Sequence, residues 1–272
     1  MSGSLRFIGP VMLVGAGKMG LAMARGWLDA GLPASNLLLV DPNPSEAARD
    51  LAEDYGLIIS GEAAGLQPNV IVLAVKPQIM DAVLGSLAPV IGPSTLAISI
   101  AAGIDINRLA RGLDMARIVR AMPNTPAQIG KGITGAVAGP DVSGEQRQIA
   151  EAVLRAAGPV VWFDDESQLD AVTALSGSGP AYIFHMVEAL AAAGKKMGLP
   201  EDIAEQLARQ TVIGSAALLE ADPATPAVLR QNVTSPNGTT AAGLGVLMDE
   251  LTPLMERTTE AARRRSEELG RG

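Results

Sequence analysis

Six consecutive residues, Gly15-Ala16-Gly17-Lys18-Met19-Gly20, constrain this chain more than any other feature. They follow a short apolar run, Phe7 to Val14, and open a stretch of helical periodicity, which places a tight turn between a strand and a helix. In that setting the first glycine permits the turn, the second lets backbone approach a pyrophosphate, and the third lets helix and strand pack closely. Free N–H groups at the helix amino terminus then face the anion. Asp41 ends the next apolar run, roughly 20 residues further on, where a carboxylate can bond the adenosine ribose of a dinucleotide. Gly15, Ala16, Gly17, Lys18, Met19, Gly20 and Asp41 are thus candidate cofactor residues. A carboxylate at Asp41 repels a 2′-phosphate, and residues 42–48 offer no cation to neutralise one. NADH is therefore expected over NADPH.

The rhythm of the first half supports this setting. Apolar runs at Val11-Val14, Leu37-Val40, Val70-Val75, Leu96-Ile100, Ile118-Ala121 and Thr134-Ala138 alternate with helical patterns at Met19 to Ala30, Pro44 to Asp54, Pro77 to Leu87 and Glu145 to Ala156. Such alternation implies an α/β fold, a Rossmann-type doubly wound and mainly parallel sheet. Ligands bind such sheets at the carboxyl ends of the strands. Ala74, Val75, Lys76 and Pro77 end the third strand, and Ala101, Ala102 and Gly103 follow the fourth, so they join the cofactor set. Met122-Pro123-Asn124-Thr125-Pro126 follows the fifth and suits the floor beneath a flat nicotinamide ring. Ordinary turns use the same residue types, so position supports these assignments more than composition does.

After about Asp165 the strand-length runs give way to helical periodicity, with Ile183, Val187, Leu190 and Gly194 spaced by threes and fours. Two domains are expected from 272 residues: a dinucleotide-binding domain over 1–165 and an all-helical one over 166–272. Further helices are expected from Ile203 to Glu220, from Ala224 to Gln231 and from Thr239, with Pro253 restarting the chain as a last helix. With 48% hydrophobic but only 3% aromatic residues, the core is built of Ala, Leu, Val, Ile and Met. The formal charge of -8 and the lack of a basic stripe argue against nucleic acid as a partner. Arg263-Arg264-Arg265 reads as a solvated face. No cysteine is present, which excludes disulfides and thiolate metal sites, and no metal is expected. The Phe7 to Val14 run reads as a first strand rather than a signal peptide, and no apolar stretch reaches the ~18 residues of a membrane span. A cytoplasmic location is expected.

Two polar segments stand out in the second half. Ala174-Leu175-Ser176-Gly177-Ser178-Gly179-Pro180-Ala181-Tyr182 opens one helix, and Val233-Thr234-Ser235-Pro236-Asn237-Gly238-Thr239-Thr240 opens another. Both set hydroxyls and small residues at a helix amino terminus, where they can either hold an anion or merely cap the helix. Together with GAGKMG (15–20), AVKPQ (74–78), ISIAAGI (98–104) and RAMPNTPA (120–127), they make the chain resemble the pyrroline-5-carboxylate reductases along its whole length. One departure is Asn237, which stands where that family usually has a glycine; Asn tolerates positive φ better than most residues, so the loop shape can survive.

The resemblance implies reduction of L-1-pyrroline-5-carboxylate to L-proline with NAD(P)H. It implies a helical domain that intertwines with a second copy, giving a homodimer or a larger ring of dimers. It implies substrate binding by Asn232, Ser235, Gly238, Thr239 and Thr240, with Glu166 approaching from the start of the helical domain. A cyclic imine can take its proton from solvent, so no strong general acid is needed, and His185, the one histidine, sits mid-helix among apolar residues and reads as structural. Thr240, following the family, is the candidate catalytic residue, bonded to the ring nitrogen. Two other readings stay open: a related dehydrogenase or imine reductase acting on another small substrate, and a non-catalytic dinucleotide-binding sensor. Hydroxyacid dehydrogenases of similar design use a lysine in the helical domain, and Lys195 and Lys196 lie late in their helix for that role.

Overall fold

The computed structural model describes residues 5–63 and 67–271. Two compact units form, one comprising Met1–Ser178 with Ala262–Gly272, the other Gly179–Ala261. The first holds an eight-stranded sheet: β1 (Val11–Val14), β2 (Leu37–Val40), β3 (Ile58–Ser60), β4 (Val70–Leu73), β5 (Leu96–Ser99), β6 (Ile118–Met122), β7 (Thr134–Ala138) and β8 (Val160–Phe163). Their order is β3-β2-β1-β4-β5-β6-β7-β8, and every pairing is parallel except β6 with β7. The order reverses at β1, whose carboxyl end carries the glycine turn.

The helices of this unit are α1 (Lys18–Asp29), α2 (Glu46–Tyr55), α3 (Met80–Leu87), α4 (Ile106–Leu113), α5 (Gly144–Leu154) and α6 (Gln168–Val172), followed by a single π turn at Thr173–Gly177. β1, β4 and β5 are buried at every residue because helices cover both faces. Alternate residues of β1 enter opposite cores. Val11 and Leu13 meet Met23, Trp27 and Val153 on one side, while Met12 and Val14 meet Met80, Leu84 and Leu109 on the other. Each fully buried side chain of this kind contributes about 1.5–3 kcal/mol.

The expected strands appear within a residue or two. β3 and β8 lie outside the expected strands; both are short sheet-edge strands, and their apolar residues are only partly covered, with Ile58 68% exposed and Val161 44%. α4 lies outside the expected helices; Asp105 caps it by accepting from the Arg108 N–H at 2.6 Å, and Ile106, Leu109 and Leu113 bury its inner face. Helices were expected at α1, α2, α3 and α5 and are found there.

The second unit contains α7 (Gly179–Lys196), α8 (Glu201–Ala221), α9 (Pro226–Asn232) and most of α10 (Thr239–Arg271). Gly194 on α7 packs against Ala204 on α8, where an added Cβ would stand 3.2 Å from the Ala204 methyl. Pro253 does not restart the chain; it lies inside α10, which is continuous. Pro253 lacks the N–H that would bond the Asp249 carbonyl, and its ring crowds that carbonyl, at a cost of about 3 kcal/mol; Asp249 is exposed, so water can satisfy the carbonyl, and the helix carries on. The segment after Phe163 up to Ser178 stays with the sheet because Leu169 and Ala174 are buried there. The end of α10 returns to the same unit, where the Ser266 hydroxyl donates to Asp170 at 2.6 Å.

Candidate active site

The glycine turn has the form a pyrophosphate cradle requires. Gly15 has φ of +97°, and its N–H donates to the Val40 carbonyl at 2.9 Å, which ties the turn to β2. A Cβ at Gly20 would fall 2.4 Å from the Gly15 carbonyl oxygen, so only glycine lets α1 sit this close to β1. Gly17 is the opposite case: it is exposed, and a Cβ there would meet nothing within 4 Å. That open space faces the start of α1, whose first backbone bond runs from the Leu21 N–H to Gly17. The N–H groups of Lys18, Met19 and Gly20 therefore have no partner within the helix, and no side chain caps it. These residues fit a dinucleotide diphosphate.

Asp41 stands beside the turn. One carboxylate oxygen accepts from the Ala16 N–H and the other from the Asn43 N–H, each at 2.9 Å. A carboxylate has room for further donors, so a ribose hydroxyl can still bond to it.

A cavity of 220 Å³ opens at the carboxyl edge of the sheet. α1 contributes Met19, the end of β4 contributes Ala74 and Val75, and the end of β5 contributes Ile100. Met122, Pro123, Asn124 and Thr125 close one side, and Gly177 of the π turn closes another. Asn124 is held by accepting from the Ile133 N–H at 2.9 Å. Walls that are mostly apolar and small leave room for one flat ring. Not every expected cofactor residue lines this cavity. Lys76 is exposed and precedes the 3₁₀ turn begun by Pro77. Ala101 is buried, Ala102 is half-buried, and Gly103 packs against Leu269, where a Cβ would stand 3.3 Å from its backbone. Gly177, by contrast, belongs by sequence to a helix opening and reaches the cavity through the π turn, which no local pattern announces.

Glu166 lies in the sheet-containing unit. Its Oε1 accepts from Arg120 Nη1 and from the Ile106 N–H, both at 2.9 Å. The remaining expected substrate residues lie together in the helical unit. Asn232 ends α9, and Ser235 to Gly238 form a turn closed by the Gly238 N–H donating to the Ser235 carbonyl at 3.1 Å. Asn237 takes φ of +57°, the left-handed conformation that glycine would otherwise supply. A Cβ on Gly238 would meet the Ser235 hydroxyl oxygen and stand 3.1 Å from the Ser235 carbonyl, so a larger residue here would turn that hydroxyl out of its place. α10 begins with Thr239 and Thr240, both exposed, and its first backbone bond runs from the Ala242 N–H to Gly238. The N–H groups of Thr239 and Thr240 are thus free of helix partners. His185 is exposed and pairs with Glu188 at 2.9 Å.

A Rossmann-type sheet with a pyrophosphate cradle and a ring-sized cavity beside it defines a dinucleotide-dependent oxidoreductase. Comparison with known proteins narrows the class. Residues 166–269 match the family model for pyrroline-5-carboxylate reductase dimerisation, and residues 10–103 match that for NADP oxidoreductase, coenzyme F420-dependent. The chain is 41% identical over 263 residues to a pyrroline-5-carboxylate reductase of Pseudomonas aeruginosa, covering 95% of this chain and 96% of that one. Its fold is similar to the structure of a pyrroline-5-carboxylate reductase from Coxiella burnetii, with a TM-score of 0.89 at 34% identity over 96% and 98% of the two chains. A Plasmodium falciparum pyrroline carboxylate reductase with NADP bound gives 0.79 at 29% identity, also over 96% and 98%. The chain belongs to the pyrroline-5-carboxylate reductase family.

Proposed function

We propose that this chain reduces L-1-pyrroline-5-carboxylate to L-proline with NAD(P)H, the last step of proline biosynthesis. The observation that carries the reading is the opening of α10, in a chain 41% identical to a reductase of that name. Free N–H groups at Thr239 and Thr240, with the Ser235 hydroxyl beside them, suit a small carboxylate. Asn232 and Gly238 shape the same loop. The Thr240 hydroxyl makes no hydrogen bond among the described residues and is assigned to the ring nitrogen. Glycine-turn residues Gly15 to Gly20 and Asp41 hold the dinucleotide, which supplies the hydride when bound. The imine nitrogen takes its proton from solvent, so the protein contributes chiefly by orienting the two reactants, an effect that can reach several kcal/mol.

Asp41 favours NADH, because a 2′-phosphate would meet its carboxylate with no cation over residues 42–48. The exposed apolar faces of α7, α8 and α10 suit a homodimer, or a ring of dimers, formed through the helical unit. We place the reaction in the cytoplasm.

One assay tests this reading: oxidation of NADH and of NADPH on addition of pyrroline-5-carboxylate. Substrate-dependent turnover with higher kcat/KM for NADH is expected. Equal or better kcat/KM with NADPH overturns the cofactor assignment. Tight cofactor binding without turnover favours a sensor instead.

A further inference from the structure

Arg120 and Glu166 form an ion pair that neither the cradle nor the substrate loop uses. Arg120 lies within β6 and is 7% exposed. A guanidinium at that depth is costly unless paired, and Glu166 Oε1 accepts from it at 2.9 Å. The same oxygen accepts from the N–H of Ile106, the first residue of α4, at 2.9 Å. One carboxylate thus ties together β6, the start of α4 and the segment that leads into α6.

Two of those segments run directly into the ring cavity. β6 continues past Arg120 into Met122 and the wall ending at Thr125. The segment from Glu166 continues through α6 into the π turn, which ends at Gly177. The two walls face each other closely, since a Cβ on Gly177 would stand 2.9 Å from Met122 Cε. Spacing across the cavity therefore depends on where β6 and the 166–177 segment sit, and the ion pair fixes one against the other.

We propose that Arg120 and Glu166 are positioning residues that set the gap between Met122 and Gly177, and so the pose of the nicotinamide ring. Glu166 then acts through Arg120 and not by touching substrate. This inference rests on the reductase reading above.

The test compares Glu166→Gln, Glu166→Ala and the apolar pair Arg120→Met with Glu166→Leu, which leaves no uncompensated buried charge. Three measurements are made: thermal midpoint, steady-state kinetics, and the emission of bound NADH without substrate. Glu166→Ala is expected to lower kcat about 10- to 100-fold and to alter the NADH emission. KM for pyrroline-5-carboxylate should stay within about two-fold of the parent value. Glu166→Gln, which can still accept both hydrogen bonds, should restore most of kcat. The apolar pair should fold yet keep the altered emission. A rise in substrate KM at unchanged kcat would make Glu166 a substrate ligand and overturn the proposal. So would parent-like emission in both the Glu166→Ala chain and the apolar pair. Parent protein that does not turn over pyrroline-5-carboxylate refutes the reductase reading, yet the emission comparison still decides the positioning role.

Discussion

The two units of this chain treat their apolar residues in opposite ways. In the sheet-containing unit Trp27, Met12, Leu13, Leu39 and Ile71 are fully buried, packed between sheet and helices on both faces. In the helical unit the buried residues are small, Gly194, Ala204 and Ala208, while Phe184 is 64% exposed, Leu218 59% and Val246 64%. Both units are rich in apolar side chains, so composition does not separate them. Geometry does: a sheet flanked by helices closes a core within one copy, whereas α7 and α8 meet through small residues and leave their large apolar side chains exposed. Large apolar side chains left exposed along α7, α8 and α10 point to an interaction surface, and the helical unit reads as half of a core that a second copy completes.

The largest expected effect follows from that asymmetry. Phe184→Asp places a charge on the exposed apolar face of α7 and should reduce the assembly to single chains of 27.9 kDa, with loss of activity. The matched control is Ile58→Asp on edge strand β3, where a side chain 68% exposed is changed in the same way. That variant should keep the parent mass and shift stability by less than ~0.5 kcal/mol. Sedimentation of both variants decides the matter. If Phe184→Asp keeps the parent mass, α7 does not complete its core with a second copy.

A smaller effect is expected inside the closed core. Trp27 is 1% exposed, and its indole N–H donates to the Val153 carbonyl at 2.8 Å. Trp27→Ala removes a large packed ring and strands a buried carbonyl, for a loss of about 3–5 kcal/mol. Trp162 on β8 remains to report unfolding of the same unit. Its transition should move to lower denaturant without depending on protein concentration. Loss of helical signal from the partner-dependent unit should instead shift with concentration. Were both transitions to shift with concentration, the two units would not differ as argued.

How much of this was legible in the sequence follows the same division. β1, β4 and β5 could be read because burial on both faces demands unbroken apolar runs. β3 and β8, at the sheet edges, carry no such demand. The glycine turn announced its own geometry, since the clash at Gly20 and the positive φ at Gly15 leave little choice of residue. Asn237 likewise carried its left-handed conformation in its side chain. The ring cavity was less visible: Gly177 reaches it through a π turn, and the Arg120–Glu166 pair spans 46 positions that no local periodicity connects. Pro253 is a strong signal for a helix end, yet the 33 residues of α10 absorb its cost of about 3 kcal/mol, because the carbonyl it leaves unbonded is exposed to water.

The smallest effects compare the two helix openings directly. Gly17 has extended backbone, with φ of −78° and ψ of −179°, and open space where a Cβ would go. Gly17→Ala should therefore leave stability unchanged or raise it by about 0.4–1 kcal/mol, because alanine has less freedom to lose on folding. The added methyl occupies the approach of the pyrophosphate, so affinity for NADH should fall while substrate KM at saturating cofactor holds. Thr240→Ala should do the reverse at the start of α10. Loss of a hydrogen bond to a charged ring nitrogen, about 1.5–3 kcal/mol, lowers kcat/KM for pyrroline-5-carboxylate by roughly 10- to 100-fold and leaves NADH binding intact. Titration of NADH fluorescence alongside steady-state kinetics separates the two. An unchanged kcat/KM in Thr240→Ala removes that hydroxyl from the mechanism. Weakened NADH binding in the same variant would mean that the two helix openings do not divide cofactor from substrate between them.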